Sequence, residues 1–304
     1  MTHNIENKNK HVYVLMVIAT FFWAGAFIAG KLGINDLSPL LLTFLRMGLA
    51  AVIVFPFLIY KQPSTWKLTK SQIIPILATG IIGMIAYHLF FFSALKYTTA
   101  SKAAMINACN PLITAFIASR FVNEKLTPRK IFFIFMALSG VVYIMLSGDF
   151  TKIVQLDFNK GDLLMFTGMV CWASYSVIVR MVIKDFGALK LTAYSFLCCA
   201  VLLSPFAIKD FITTNALHVG LSPYLAVLYM AIFPTVIGYS IQQFAIGKIG
   251  PSNTALFINL VPILSTIMAL IFLGEKISTY HFVGALLIIT AVIGFSKSKS
   301  ILQN

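Results

Sequence analysis

Charge is scarce in this chain: Asp, Glu, Lys and Arg make up 11% of its 304 residues, against about a quarter of an ordinary soluble domain. Only nine are acidic. None of these lies deep in an apolar run; Asp36, Glu124, Asp162 and Glu275 stand at run ends. Catalysis by paired buried carboxylates is thereby excluded. The four cysteines (Cys109, Cys171, Cys198 and Cys199) sit inside apolar runs without Cys-x-x-Cys or Cys/His spacing. That pattern excludes a disulfide framework and a metal site, and reads as thiols acting as small hydrophobes. The sequence has no His-x-x-x-His and no Gly-x-Ser-x-Gly, so neither a metalloprotease helix nor a nucleophile elbow is indicated. No cofactor motif and no soluble output domain is visible.

What is abundant is apolar: 59% of residues are hydrophobic. A single soluble core could not hide that much apolar surface, so lipid is the expected solvent. The net charge of +14 would suggest nucleic acid in a soluble protein. Here the Lys and Arg residues occupy short gaps between apolar runs, which fits membrane orientation instead. Lys8 and Lys10 precede an apolar run too long for a typical signal peptide, so an uncleaved first helix is expected.

A helix needs about 20 mostly apolar residues to cross the hydrocarbon core. The runs predict an all-α polytopic membrane protein with ten transmembrane helices: 11–31, 38–60, 73–95, 101–120, 130–147, 162–182, 190–208, 223–246, 252–273 and 279–296. The longest gap, 148–161, falls at mid-chain. A search for a repeat follows naturally. Trp23 and Lys31 match Trp172 and Arg180. Pro56 matches Pro205, Tyr87 matches Tyr239 and Lys96 matches Lys248. Asn110-Pro111 matches Val261-Pro262, and Asn123-Glu124-Lys125-Leu126 matches Gly274-Glu275-Lys276-Ile277. The order is conserved at a nearly constant offset. Residues 11–147 and 162–296 therefore form two five-helix repeats. An odd span count forces tandem repeats to enter the membrane from opposite sides, so the repeats are inverted, with a site expected near the midplane between them. With the N-terminus in the cytoplasm, fifteen Lys and Arg fall on the cytoplasmic side and seven on the other. Both termini are expected inside a bacterial cytoplasmic membrane.

Polar groups within spans are costly and mark candidate sites. Asn107, Asn110 and Thr114 share one face of the fourth helix, next to Pro111; the ninth helix offers Asn259 and Pro262. Paired proline-interrupted spans point to a transport site, although interhelical hydrogen bonding explains such Asn residues equally. The eighth helix carries Tyr239, Gln242 and Gln243; the third carries Tyr87, His88 and Phe91. Under the repeat, Phe91 corresponds to Gln243, so one wall is apolar and the other polar. His88 is the one intramembrane group suited to relaying a proton in coupled transport, with a structural hydrogen-bonded role as the alternative. Trp23 and Trp172 lie halfway along their helices among small residues, and Tyr175 adds polarity to the sixth helix. Arg46 is a full charge inside a span; it either holds an anionic substrate or is satisfied structurally.

These features resemble the drug/metabolite transporter superfamily, specifically its EamA-type members. The resemblance rests on Phe22-Trp23-Ala24-Gly25-Ala26-Phe27, Phe44-Leu45-Arg46, Pro111, Asn123-Glu124-Lys125-Leu126, Trp172, Pro262 and Gly274-Glu275-Lys276-Ile277. The chain departs from the pattern at Ser195, where the first half has Arg46. The resemblance implies a central cavity lined by helices 1, 3, 4, 6, 8 and 9. It also implies secondary active export of amino acids or related small metabolites. Import or exchange of a nucleotide-related metabolite or vitamin is the alternative, and a membrane-embedded enzyme is disfavoured. Expected partners are a small-molecule substrate and membrane lipid, not nucleic acid; the protein acts as a monomer or homodimer.

Overall fold

The computed structural model describes residues 2–122, 126–151, 159–214 and 216–298. Asn123, Glu124 and Lys125 of the repeat motif, and Lys152, Asp157 and Lys299, lie outside the described residues. Among the described residues every regular element is helical. In chain order the main ones are α1 (Thr2–Gly33), α2 (Pro39–Lys61), α3 (Lys70–Tyr97), α4 (Ala100–Asn107), α5 (Asn110–Phe121) and α6 (Pro128–Met145). They continue as α7 (Lys160–Phe186), α8 (Ala188–Thr213), α9 (Leu221–Ile249), α10 (Pro251–Leu273) and α11 (Thr279–Lys297).

Eight of these are long and apolar enough to cross a membrane: α1, α2, α3, α6, α7, α8, α9 and α10. Helix α2, with 23 residues, spans about 34 Å at 1.5 Å per residue, enough for a core of roughly 30 Å. Two of the ten expected spans fall short. The apolar part of α11 is a shorter helix, Thr279–Phe295. The expected span over 101–120 is two helices, broken at Ala108 and Cys109. Pro111 explains the break, because it has no N–H to give the carbonyl four residues earlier, that of Asn107. Pro262 acts alike in α10, where the turn Phe257–Asn259 tightens to a 3-10 helix around the carbonyl of Ile258.

Two further irregularities match each other. Helix α3 widens to a π-helix over Thr79–Ala86, and α9 does so over Ala231–Ile237. Thr79 and Ala231 are separated by the same offset as Tyr87 and Tyr239. In α9 the cause is Pro234, which removes a donor from the ladder; the Thr235 hydroxyl donates to the Met230 carbonyl at 2.6 Å. Such π-turns often mark functional positions.

Helix pairing also follows the repeat. α1 packs on α9 and α10, and its counterpart α7 packs on α3 and on α4–α5. α2 packs on its counterpart α8, and α6 on its counterpart α11. In the last pair Gly140 and Gly284 each face the other's carbonyl, so a Cβ on either would sit 3.1 Å from that oxygen. Small residues let these two backbones approach closely. Val52, Ile74, Phe116, Phe135, Phe206 and Leu286 are exposed on the outside, where only lipid could accept so apolar a surface. The chain is a multi-pass membrane protein.

The two halves repeat one end-contact. Lys31 Nζ, in α1, donates to the Leu95 carbonyl at 2.6 Å and the Thr98 carbonyl at 2.8 Å. Arg180, in α7, donates to the Ile246 and Gly247 carbonyls at 3.2 and 3.1 Å. Each cation satisfies carbonyls at the C-terminal end of α3 or α9, where the helix dipole favours positive charge.

Candidate functional site

The aromatic candidates meet where the halves join. Trp23 and Trp172 contact each other edge-to-face, with ring centroids 6.1 Å apart and planes at 82°. They are repeat counterparts, and a residue that touches its own counterpart must lie near the axis relating the halves. Tyr87 tilts against Trp172 at 4.7 Å, and Tyr239 meets it edge-on at 5.0 Å. Tyr87 stacks on Phe91 at 5.8 Å, and Phe27 meets Phe91 at 5.0 Å. These centroid distances and angles suit the ring quadrupoles.

The rings surround a cavity of about 30 Å³. It is lined by Trp23, Ala26, Phe27, Arg46, Tyr87, Phe91, Asn107, Trp172, Tyr239, Ile258 and Val261. Side chains from α1, α2, α3, α4, α7, α9 and α10 thus converge on one point. A volume of 10–15 Å³ admits one water by this measure, so the space holds about two or three. Ligand pockets are typically about 300–1,000 Å³. The described conformation therefore has no room for a metabolite, which enters only if the surrounding helices separate.

Local backbone irregularity positions the lining. Trp23 Nε1 donates to the Pro234 carbonyl at 3.0 Å, so the proline-induced π-turn of α9 anchors a ring from the other half. Arg46 Nε donates to Thr235 Oγ1 at 2.6 Å in that same turn. The counterpart contact lacks charge: Ser195 Oγ hydrogen-bonds Thr79 Oγ1 at 2.9 Å, at the π-turn of α3. The break after Asn107 ends α4 beside the cavity, and the Asn107 side-chain oxygen has no hydrogen-bond partner among the described residues.

Six sequence candidates line the cavity: Trp23, Tyr87, Phe91, Asn107, Trp172 and Tyr239. The other six do not. His88 is fully buried behind Tyr239. Its Nδ1 lies 2.8 Å from the Met84 carbonyl and its Nε2 2.9 Å from the Tyr239 hydroxyl. A carbonyl only accepts, so Nδ1 carries the proton and Nε2 accepts from Tyr239. Asn110 bridges helices: its Nδ2 donates to the Met169 carbonyl at 3.4 Å, and its Oδ1 accepts from Thr114 at 3.0 Å. Gln243 Nε2 donates to the Tyr175 hydroxyl at 2.8 Å, just outside the lining. Gln242 is buried in α9, and Asn259 lies in the turn that interrupts α10. Arg46, for which the sequence leaves an anion-binding and a structural role open, is the one charged lining residue. Its signal in the sequence was the missing counterpart, since Ser195 occupies the equivalent place.

One end of the assembly is tied by polar links between the halves. Lys102, in α4, pairs with Asp162, in α7, at 2.6 Å. Asp162 Oδ1 accepts from Thr98 Oγ1 at 2.7 Å. Lys102 also donates to the Met145 carbonyl and Ser147 Oγ at 3.2 and 3.3 Å. Glu275 reaches from the second half to the N-terminus of α4, accepting from the backbone N–H of Ala100 at 2.8 Å and of Ser101 at 3.1 Å. A carboxylate there satisfies orphan donors and complements the helix dipole.

A model of the EamA-like transporter family matches residues 11–146 and 159–297. The "Uncharacterized transporter YyaM" of Bacillus subtilis (strain 168) is 31% identical over 94% of this chain and 93% of its own length. The "Probable amino-acid metabolite efflux pump" of Salmonella typhimurium (strain LT2) is 24% identical over 97% of this chain and 98% of its own. A solved crystal structure superposes with a TM-score of 0.66 at 22% identity, covering 93% of this chain and 96% of that one. That last likeness speaks to fold.

Proposed function

This chain belongs to the EamA-like transporter family, and on that premise we propose that it is a secondary active transporter that exports amino acids or related small metabolites by alternating access. The observation that carries the reading is the cavity near the axis between the halves, lined from both and too small for cargo as it stands. A cavity of this kind serves transport when the helices around it part at one end and then the other. The relative from Salmonella, named as an amino-acid metabolite efflux pump, supports the cargo class. The family and its transporter-named relatives point away from an enzyme.

The proposal extends to topology. Ten crossings arise when α4 and α5 count as one broken span and α11 as the last. The repeats 11–147 and 162–296 are then inverted, and both termini lie in the cytoplasm of a bacterial cell. The lysine-rich gaps support this orientation. The end tied by Lys102, Asp162 and Glu275 then faces outward. Proton coupling through His88 requires the Tyr239 bond to break, because both ring nitrogens are engaged in the closed form.

The test is a comparison of extracellular metabolites in cells with and without the protein, followed by flux of the hits into proteoliposomes. Flux that depends on the protein and saturates is the expected result. No protein-dependent flux of any hit overturns the transport reading. Collapse of that flux by an uncoupler supports proton coupling, and indifference removes it.

A further inference from the structure

Burying a cation at the centre of a membrane bundle demands compensation, and Arg46 shows where compensation is missing. Its side chain is only 3% exposed. Among the described residues one of its five N–H donors is used, by Nε on Thr235. No carboxylate among the described residues pairs with it; the ion pair that the bundle forms is between Lys102 and Asp162, at its end. Arg46 is also a lining residue of the cavity. A buried charge without a partner costs several kcal/mol in a low-dielectric medium, so a protein that keeps one holds it for something that arrives.

We propose that Arg46 is the anion anchor of the cavity, and that the cargo is recognised by a carboxylate held on its free guanidinium edge. The inference rests on the transport reading and adds the charged group to it. Three observations on the lining converge. Arg46 is the one charged residue there, so a single negative charge balances the site; a dianionic phosphate ester would leave an excess. The planar donor edge matches the two oxygens of a carboxylate. Asn107 lines the same cavity, and its side-chain oxygen is buried without a partner among the described residues, so it is open to a donor on the cargo once the helices part. The rings of Trp23, Tyr87, Phe91, Trp172 and Tyr239 line the same cavity and suit a flat or apolar body. The fitting molecule is small, carries one carboxylate and presents a flat or apolar body.

The halves divide this labour unequally. Ser195 holds the equivalent place in α8 and bonds Thr79, so the anion site exists once per chain although the scaffold is repeated. Cargo therefore binds in one orientation relative to the axis.

The experiment uses the full-length protein in lipid nanodiscs. Tryptophan emission, read in a Trp66→Phe background so that Trp23 and Trp172 are its sources, reports occupancy. The probes are L-phenylalanine, 3-phenylpropanoate, L-phenylalaninamide and 3-phenylpropanamide. Both carboxylates are expected to change the emission saturably, and both amides to bind at least about tenfold more weakly, the loss associated with one charge-assisted hydrogen bond. Arg46→Gln should erase that preference, and Arg46→Lys should retain part of it, because a point charge replaces the fork. Size-exclusion profiles establish that each variant is folded; if Arg46→Gln does not fold, Arg46→Lys and the amide comparison on the unaltered protein decide. Equal binding of acid and amide, binding of neither acid, or an unchanged preference in a folded Arg46→Gln protein overturns the assignment. Flux assays separate this from the broader reading. Saturable flux of a cargo with no anionic group refutes the anchor while transport stands; absence of all flux refutes transport.

Discussion

Neutralising Asp162 should be among the most damaging single changes outside the cavity. The Lys102–Asp162 pair is 2.6 Å long, joins α4 of one half to α7 of the other, and is buried, with Lys102 at 7% and Asp162 at 0% exposure. In Asp162→Asn the ammonium stays while its counter-charge goes. Breaking a buried pair from one side costs about 3–5 kcal/mol. Lys102 keeps the Met145 carbonyl and Ser147 hydroxyl, and Asn can still accept from Thr98, so the cost should sit near the low end, about 3 kcal/mol. The paired replacement Lys102→Met with Asp162→Leu removes both charges and should stay within about 1 kcal/mol of the parent, since apolar substitutes for buried pairs are often neutral. Equilibrium unfolding in mixed micelles measures both. The double variant also lacks the tie that holds this end shut. With the pair's net worth at about 1 kcal/mol or less, the lost bias is at most roughly fivefold, so a cysteine in the cavity should react up to about fivefold faster with a thiol reagent supplied at that end. A cost below about 1 kcal/mol for Asp162→Asn, the value of an exposed pair, would refute the reasoning. So would a double variant as damaged as the single one.

Other outcomes follow from packing. Gly83 lies against the Tyr175 ring with no room for a Cβ, whereas nothing lies within 4 Å of a Cβ at Gly48; Gly83→Leu should abolish the monodisperse size-exclusion peak and Gly48→Ala should leave it intact. Tyr239→Phe strips the hydroxyl from His88 Nε2 and leaves a buried acceptor unpaired, a loss of about 1–3 kcal/mol, read as a lower thermal midpoint. Arg180→Gln removes the donor to the Ile246 and Gly247 carbonyls; that cation is half-exposed, so the cost should stay near or below about 1 kcal/mol, seen as a small shift in the same melt.

Much of the architecture is visible in the sequence because lipid simplifies the reading. A crossing helix must be long, apolar and internally hydrogen-bonded, so each predicted span coincides with a helix except where proline intervenes. The break between Asn107 and Asn110 was legible as Pro111, but the division into two helices depends on how the freed carbonyl is accommodated by neighbours. The matching π-turns were not legible: Pro234 marks one, while Thr79–Ala86 contains no proline. For the site, Trp23, Trp172, Tyr87 and Tyr239 stood out as aromatic residues deep in spans at repeat-related places, and the structure groups them. Asn110, His88 and Gln243 have the same polar signature yet bond to neighbouring helices, with the Gln243 side-chain oxygen left without a partner among the described residues. Residue type alone does not separate a polar group turned to a neighbour from one turned to a cavity. Arg46 shows the converse, since its partner set, which no sequence pattern reveals, decides between a structural and a binding role.

The central claim is that one cavity is reached alternately from the two sides of the membrane. Ala26 lines that cavity and is small, so Ala26→Cys, in a background with the four native cysteines replaced, is a near-isosteric probe. Its reaction with a membrane-impermeant maleimide would be measured from each face of sealed, uniformly oriented vesicles. Labelling from both faces, slowed by transported cargo, is the expected result. Labelling from a single face only, or none under conditions that sustain flux, would contradict it.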